Sequence, residues 1–266
     1  MSNFSAKDVQ ALRQATGAGM MDAKAALTEN DGDFEAATKW LREKGLAKAA
    51  TRTDRENDQG AVALVERNGN FGLVELKSET DFSAKADDFV QVADDLAVAV
   101  AERGEAAVAE HADAVDQLTL SKKENIAVGK VVQWTPGDGT IIDSYLHRQD
   151  GRGVNAVLVE VQGGTVELAH DIAVHIAFAK PKFQAREDVP AEAVETERET
   201  LVGITKAEGK PEAAIDKIVE GRLNGWFKER VLLEQSFVKD EKLTVAQLLE
   251  QAGATLVRFE QAVING

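Results

Sequence analysis

The chain has 266 residues, 44% hydrophobic and 29% charged, as in ordinary globular proteins able to bury one large core or two to three small ones. Its 46 acidic and 31 basic residues leave a formal net charge of −15, a field that repels phosphate backbones, so the expectation is no direct nucleic-acid binding and, if anything, a partner with a basic face. There is no cysteine, which excludes disulfides, thiolate metal sites and cysteine nucleophiles, and no apolar run approaches the roughly 20 residues a bilayer span needs.

The N-terminus, MSNFSAKDVQ, is polar and lacks an apolar signal core; Asn3-Phe4-Ser5 reads as a chance sequon, and the expected location is cytoplasmic. Residues 1–46 read as a very small domain of three short helices. Ser5 caps the first, with Asp8 in the capping-box position and Val9, Leu12 and Ala15 along its apolar side. Thr16-Gly17-Ala18-Gly19 breaks it, and a second helix spans 20–29, where Met20 and Met21 each read equally well as packing or as an adaptable apolar contact, one outward and one inward. Asn30-Asp31-Gly32 ends that helix; Asp33 caps a third that carries Phe34, Ala37, Trp40 and Leu41 and stops at Gly45. The polar stretch 47–59 reads as a linker.

After it the hydrophobic period becomes that of strands. Segments 61–66 and 71–77 flank Arg67-Asn68-Gly69-Asn70, and Asn-Gly between strands predicts a tight hairpin. A helix is expected over 83–101 and further helix over 104–125; strands follow at 126–134, 140–148 and 154–161, then a helix over 165–179. Hairpin followed by helix thus recurs at 61–101 and 140–179, which predicts two related α+β subdomains with antiparallel sheets, at 60–138 and 139–266. The second includes an antiparallel helical hairpin, 191–228, turning at Gly209-Lys210-Pro211, with Ile215, Ile218, Val219, Leu223, Trp226 and Phe227 on one stripe. A helix at 244–252 and a strand at 255–263 close the pattern.

The chemistry of an enzyme is missing from this inventory. Between Gly203 and Gly209 lie five residues where a phosphate loop has four, and Pro211 stands where its magnesium-binding hydroxyl belongs. Gly17-Ala18-Gly19 lacks the third glycine and the preceding strand of a dinucleotide fingerprint. His170 and His175 are five apart, on different faces of one helix, and are assigned mainly to packing. Asp87-Asp88 and Asp94-Asp95 point apart as a solvated face, and a hydrolase using scattered carboxylates would need two of them to converge in one pocket. No catalytic residue, metal or cofactor is expected.

One junction stands out: Ser78-Glu79-Thr80-Asp81-Phe82-Ser83-Ala84-Lys85, between a strand and a helix. Phe82 shares helical spacing with Ala86, Phe89, Val90 and Ala93, so it reads as the start of a buried stripe. If Ser83 is the cap, however, the staple partner of Phe82 is Asp87, which cannot pack, and the ring stands free at the helix mouth.

Several segments together resemble the bacterial translation elongation factor Ts family, the guanine nucleotide exchange factors of elongation factor Tu: 12–22 (LRQATGAGMMD), 79–82 (ETDF), 145–147 (YLH), 170–181 (HDIAVHIAFAKP), 209–211 (GKP) and 219–222 (VEGR). They come in the family's order and cover nearly the whole chain. The resemblance implies a ubiquitin-associated-like three-helix domain, then the two α+β subdomains and emerging helical hairpin. It also implies that Thr80, Asp81, Phe82 and Ser83 meet elongation factor Tu near its magnesium and phosphate site, Phe82 inserting between partner helices, Asp81 engaging polar groups and Thr80 capping the turn. Met20, Met21 and His147 become secondary contacts, and His147 reads equally as structural. The chain departs from the family at Lys123-Glu124-Asn125-Ile126, where glycine usually comes first, and at Gly129-Lys130, where paired arginines are common. It also departs at Ala23 and Ser78, often cysteine, and at Ser83, usually valine; a further C-terminal helical module of some members is expected to be absent. The alternative is a ubiquitin-associated-like adaptor that binds protein segments without exchange activity. The oligomeric state and the role of the helical hairpin stay open.

Overall fold

A computed structural model describes residues 3–264; Met1, Ser2, Asn265 and Gly266, at the ends of the first and last expected segments, lie outside the described residues. The chain divides into two compact units, Met1–Thr135 with Arg148–Val154 and Ala262–Gly266, and Pro136–His147 with Asn155–Gln261.

The first unit opens with α1 (Ala6–Thr16), α2 (Met20–Glu29) and α3 (Phe34–Ala49). The capping box forms: the Asp8 carboxylate accepts from the Ser5 N–H at 2.7 Å, and the Ser5 hydroxyl oxygen accepts from the Asp8 N–H at 3.4 Å. Asp33 caps α3 by accepting from the Ala36 N–H at 3.0 Å. Val9, Leu12, Ala23, Ala26, Leu27, Ala37 and Leu41 make the small core. The expected stop at Gly45 is not one. The helix runs on to Ala49, and a short 3-10 turn follows at Ala50–Arg52. Gly45 has no left-handed backbone angle; a side chain there would lie 2.3 Å from Leu120 Cδ2, so the glycine serves a close approach.

Strands β1 (Gln59–Arg67) and β2 (Asn70–Ser78) pair antiparallel with Arg67 opposite Asn70. Asn68 and Gly69 between them have φ of 53° and 79°, the two positive angles that let a two-residue turn follow the strand twist. The single turn α4 (Asp81–Ala84) and the long α5 (Asp87–Arg103) come next, then α6 (Ala112–Lys122) and β3 (Ala127–Trp134). The helix expected over 83–101 is therefore two: Ala86 is extended, at φ −70° and ψ 139°, and α5 starts after it. Phe89, fully buried, heads the apolar stripe instead of Phe82. β3 pairs antiparallel with β2, giving the sheet β1-β2-β3, and α5 covers it through Phe89, Ala93, Leu96, Ala97 and Val100 against Ala61, Ala63, Val74 and Leu76. Gly72 permits that closeness, since a Cβ there would fall 2.3 Å from the Ala97 carbonyl oxygen.

The second pattern comprises β4 (Thr140–Gln149), β5 (Arg152–Gln162), α7 (Val166–Ala179), α8 (Ala191–Ala207) and α9 (Glu212–Arg230). After these come β6 (Ser236–Phe237), β7 (Asp240–Thr244), α10 (Val245–Gln251) and β8 (Thr255–Val263). The sheet order is β4-β5-β8. Ala169, Ile172, Ala173 and Ile176 of α7 pack with Val157, Val159 and Val161, closed by Leu232, Val245, Leu249 and Leu256. Helices α8 and α9 bury a core of their own, Leu201, Ile215, Val219, Leu223 and Phe227, with Val189 and Val231. The architecture is α+β, with three helices first and antiparallel sheets after.

Candidate functional site

The junction after β2 is a built corner in the first unit. Thr80, extended at φ −125° and ψ 152°, is the N-cap of α4, and its hydroxyl oxygen accepts from the Ser83 N–H at 3.3 Å. Buried Ser78 donates its hydroxyl to the Thr80 carbonyl at 3.0 Å. The largest share of the bonding falls to Glu124, on the segment after α6. Its Oε2 accepts the backbone N–H groups of Glu79 and Thr80, each at 3.1 Å. Its Oε1 accepts the hydroxyls of Thr80 at 2.7 Å and Ser83 at 2.6 Å. In return, the Glu79 carboxylate accepts the Asn125 N–H at 2.6 Å, and the Asn125 side chain donates to the carbonyls of Thr53 at 3.2 Å and Arg55 at 2.8 Å.

The outer side of the corner is ionic. Lys85 Nζ lies 2.8 Å from Asp81 and 3.1 Å from Asp150. The Lys85 hydrogen bond holds the Asp81 carboxyl below the usual carboxylate range, with Arg152 adding to the effect. Buried Arg152 donates to the Gly60 carbonyl and to Gln59 Oε1, while its Nε has no hydrogen-bond partner.

On this support Phe82 is 85% exposed, the free-standing alternative of the two sequence readings. Ser83 is turned inward, 7% exposed and bonded to Glu124, so it is neither the cap nor an outward contact. Thr80 also spends its side chain on the corner. Asp81 and Phe82 are the two members that face out. Met20 and Met21 are 48% and 76% exposed, and neither packs inside, because the buried side of α2 consists of Ala23, Ala26 and Leu27. His147 is exposed near the end of β4. His175 is buried: its Nδ1 accepts the Val238 N–H at 3.2 Å, which leaves Nε2–H to donate to Gln235 at 3.0 Å. His170 instead stands at the surface, 2.7 Å from Asp143 and edge-on to Tyr145. Among the described residues no three His, Asp or Glu side chains are grouped to hold a metal ion, and no helix is long and apolar enough to cross a membrane. A cavity of about 320 Å³ between the helices of the first unit is lined by Thr16, Gly17, Arg42, Gly45 and Leu120, and none of the corner residues reaches it.

Sequence reasoning missed Glu124 as part of this site. Its signal was the Lys123-Glu124-Asn125-Ile126 segment, noted only for its departure from the resembling family at Lys123 and given no task.

Fold and corner together define a class of protein: an α+β chain with two like sheets that carries an aromatic ring on a rigid support, the kind of feature that anchors macromolecular contacts. The profile of the family described as Elongation factor TS matches residues 79–265, and the match begins in the corner. The chain belongs to the elongation factor Ts family, and so to the translation elongation factors. It is 45% identical to the Elongation factor Ts of Clavibacter sepedonicus over 97% of this chain and 98% of the relative. It is also 45% identical to that of Streptomyces griseus over 100% of both chains, and 44% identical to that of Paenarthrobacter aurescens over 95% of each.

Proposed function

We propose that the chain is a guanine nucleotide exchange factor that binds elongation factor Tu carrying GDP and promotes GDP release by inserting Phe82. The carrying observation is the ring itself, 85% exposed on a corner whose backbone is fixed by hydrogen bonds. Burying a phenylalanine in a partner supplies roughly 1.5–3 kcal/mol. Spent on displacing partner helices near a magnesium and phosphate site, that energy weakens nucleotide binding. Asp81 engages polar groups of the partner, while Thr80 and Ser83 hold the corner. Met20, Met21 and His147 are secondary contacts. The protein makes and breaks no covalent bond, needs no cofactor, acts in the cytoplasm and is displaced by incoming GTP.

The test is release of fluorescent GDP from elongation factor Tu. Wild type accelerates it, and Phe82→Ala lowers the stimulated rate by ~10- to 100-fold while docking to the GDP-bound form is mostly retained. Unchanged release by the variant rejects the wedge. The exposed methionine pair supports a second reading, an adaptor that docks without exchange; binding without acceleration by wild type would favour it.

A further inference from the structure

We propose that Glu124 is the positioning residue of nucleotide exchange, its carboxylate setting the corner that presents Phe82. This rests on the exchange reading above.

The carboxylate takes four hydrogen bonds from the corner, two on each oxygen, at 2.6 to 3.1 Å. Two come from the peptide N–H groups at which the chain leaves β2, and two from the hydroxyls that flank Phe82 on either side, Thr80 and Ser83. The donors lie 41 to 45 residues away in sequence, so the lock is tertiary and can be removed without touching any local propensity of the corner. Glu79 completes it in the opposite direction by accepting the Asn125 N–H at 2.6 Å.

A ring on a loose corner must be ordered at the moment of insertion, which reduces the inserted population by roughly tenfold for each residue ordered. Glu124 removes that penalty in advance. The half-buried glutamate spends both oxygens inward on the corner's donors and acts through Phe82, which makes it a positioning group.

Glu124→Gln keeps the size but replaces one acceptor oxygen by an amide nitrogen that cannot accept from either donor of that pair. The full-length wild type, Glu124→Gln, Phe82→Ala and the double variant are compared in fluorescent GDP release from elongation factor Tu over a range of exchange-factor concentrations. Amide hydrogen exchange at Glu79 and Thr80 is measured alongside. Glu124→Gln is expected to lower the saturating rate ~10-fold with the half-saturating concentration within about twofold, and to speed amide exchange at both positions. In the Phe82→Ala background it should change the rate no further, since no ring remains to be placed. Ser83→Ala, which removes a single donor, should shift the same quantities in the same direction by less, and it carries the test if Glu124→Gln fails to fold.

Wild-type rate and wild-type amide protection in Glu124→Gln would overturn the inference alone. So would an equal loss of rate in the Phe82→Ala background, the mark of general damage. If wild type fails to accelerate GDP release, or Phe82→Ala accelerates it fully, the exchange reading falls first and this inference with it.

Discussion

Lys123, next to the clamping glutamate, holds a left-handed backbone angle, φ 61°, as the C-cap of α6, with its N–H bonded to the Thr119 carbonyl at 3.1 Å. A side chain in that region costs about 1–2 kcal/mol, part of which glycine returns through its larger unfolded-state entropy. Lys123→Gly is therefore expected to stabilise the protein by about 0.5–1 kcal/mol, read as a higher urea midpoint at unchanged slope. A lower midpoint would mean that the lysine stem contributes packing that outweighs the strain. The sequence carried this signal as a lysine where the resembling family has glycine. It did not carry the decision on Phe82. Phe82 and Phe89 lie seven apart, on the same side of an unbroken helix, and the extended Ala86 between them breaks that spacing, with one ring exposed and the other buried.

Among the elements, those specified by neighbours in sequence were legible: the capping box of α1, the Asn68-Gly69 hairpin and the bounds of α2 all follow from short-range chemistry. The small β6–β7 pair was not legible, because part of what fixes it lies on α7, where His175 Nδ1 accepts the Val238 N–H between the two strands. That bond makes the element sensitive to acid. Burial holds the His175 pKa below its ordinary 6.5, whereas the unfolded chain takes the proton near 6.5. As pH falls below about 6.5, the unfolded state binds more protons than the folded one, so the stabilisation that is fully present above this value is lost toward the lower folded pKa. The urea midpoint should decline over this window in wild type and more gently in His175→Gln. Parallel profiles for the two proteins would show that the histidine is not the group responsible.

Across the molecule, the pattern of two strands, a helix and a later third strand beside the second occurs twice, as β1-β2-β3 and β4-β5-β8. The first three members of each were readable as a recurring hairpin and helix. The third strands were not assignable to their sheets, since β8 arrives only after two long helices and the β6–β7 pair, and strand periodicity says nothing about partners. The functional consequence at this scale is thermodynamic. If Phe82 weakens GDP binding by some factor, GDP must weaken binding of this chain by the same factor, because both routes reach one ternary complex. Titration of the chain into nucleotide-free and GDP-saturated elongation factor Tu should give dissociation constants that differ by roughly 5- to 150-fold, with the nucleotide-free form tighter. For Phe82→Ala the two constants should converge, chiefly by weakening on the nucleotide-free side, where the ring has a seat. A chain that merely docks would bind both forms of the wild-type complex equally, and equal constants together with unaccelerated GDP release would leave only the adaptor reading.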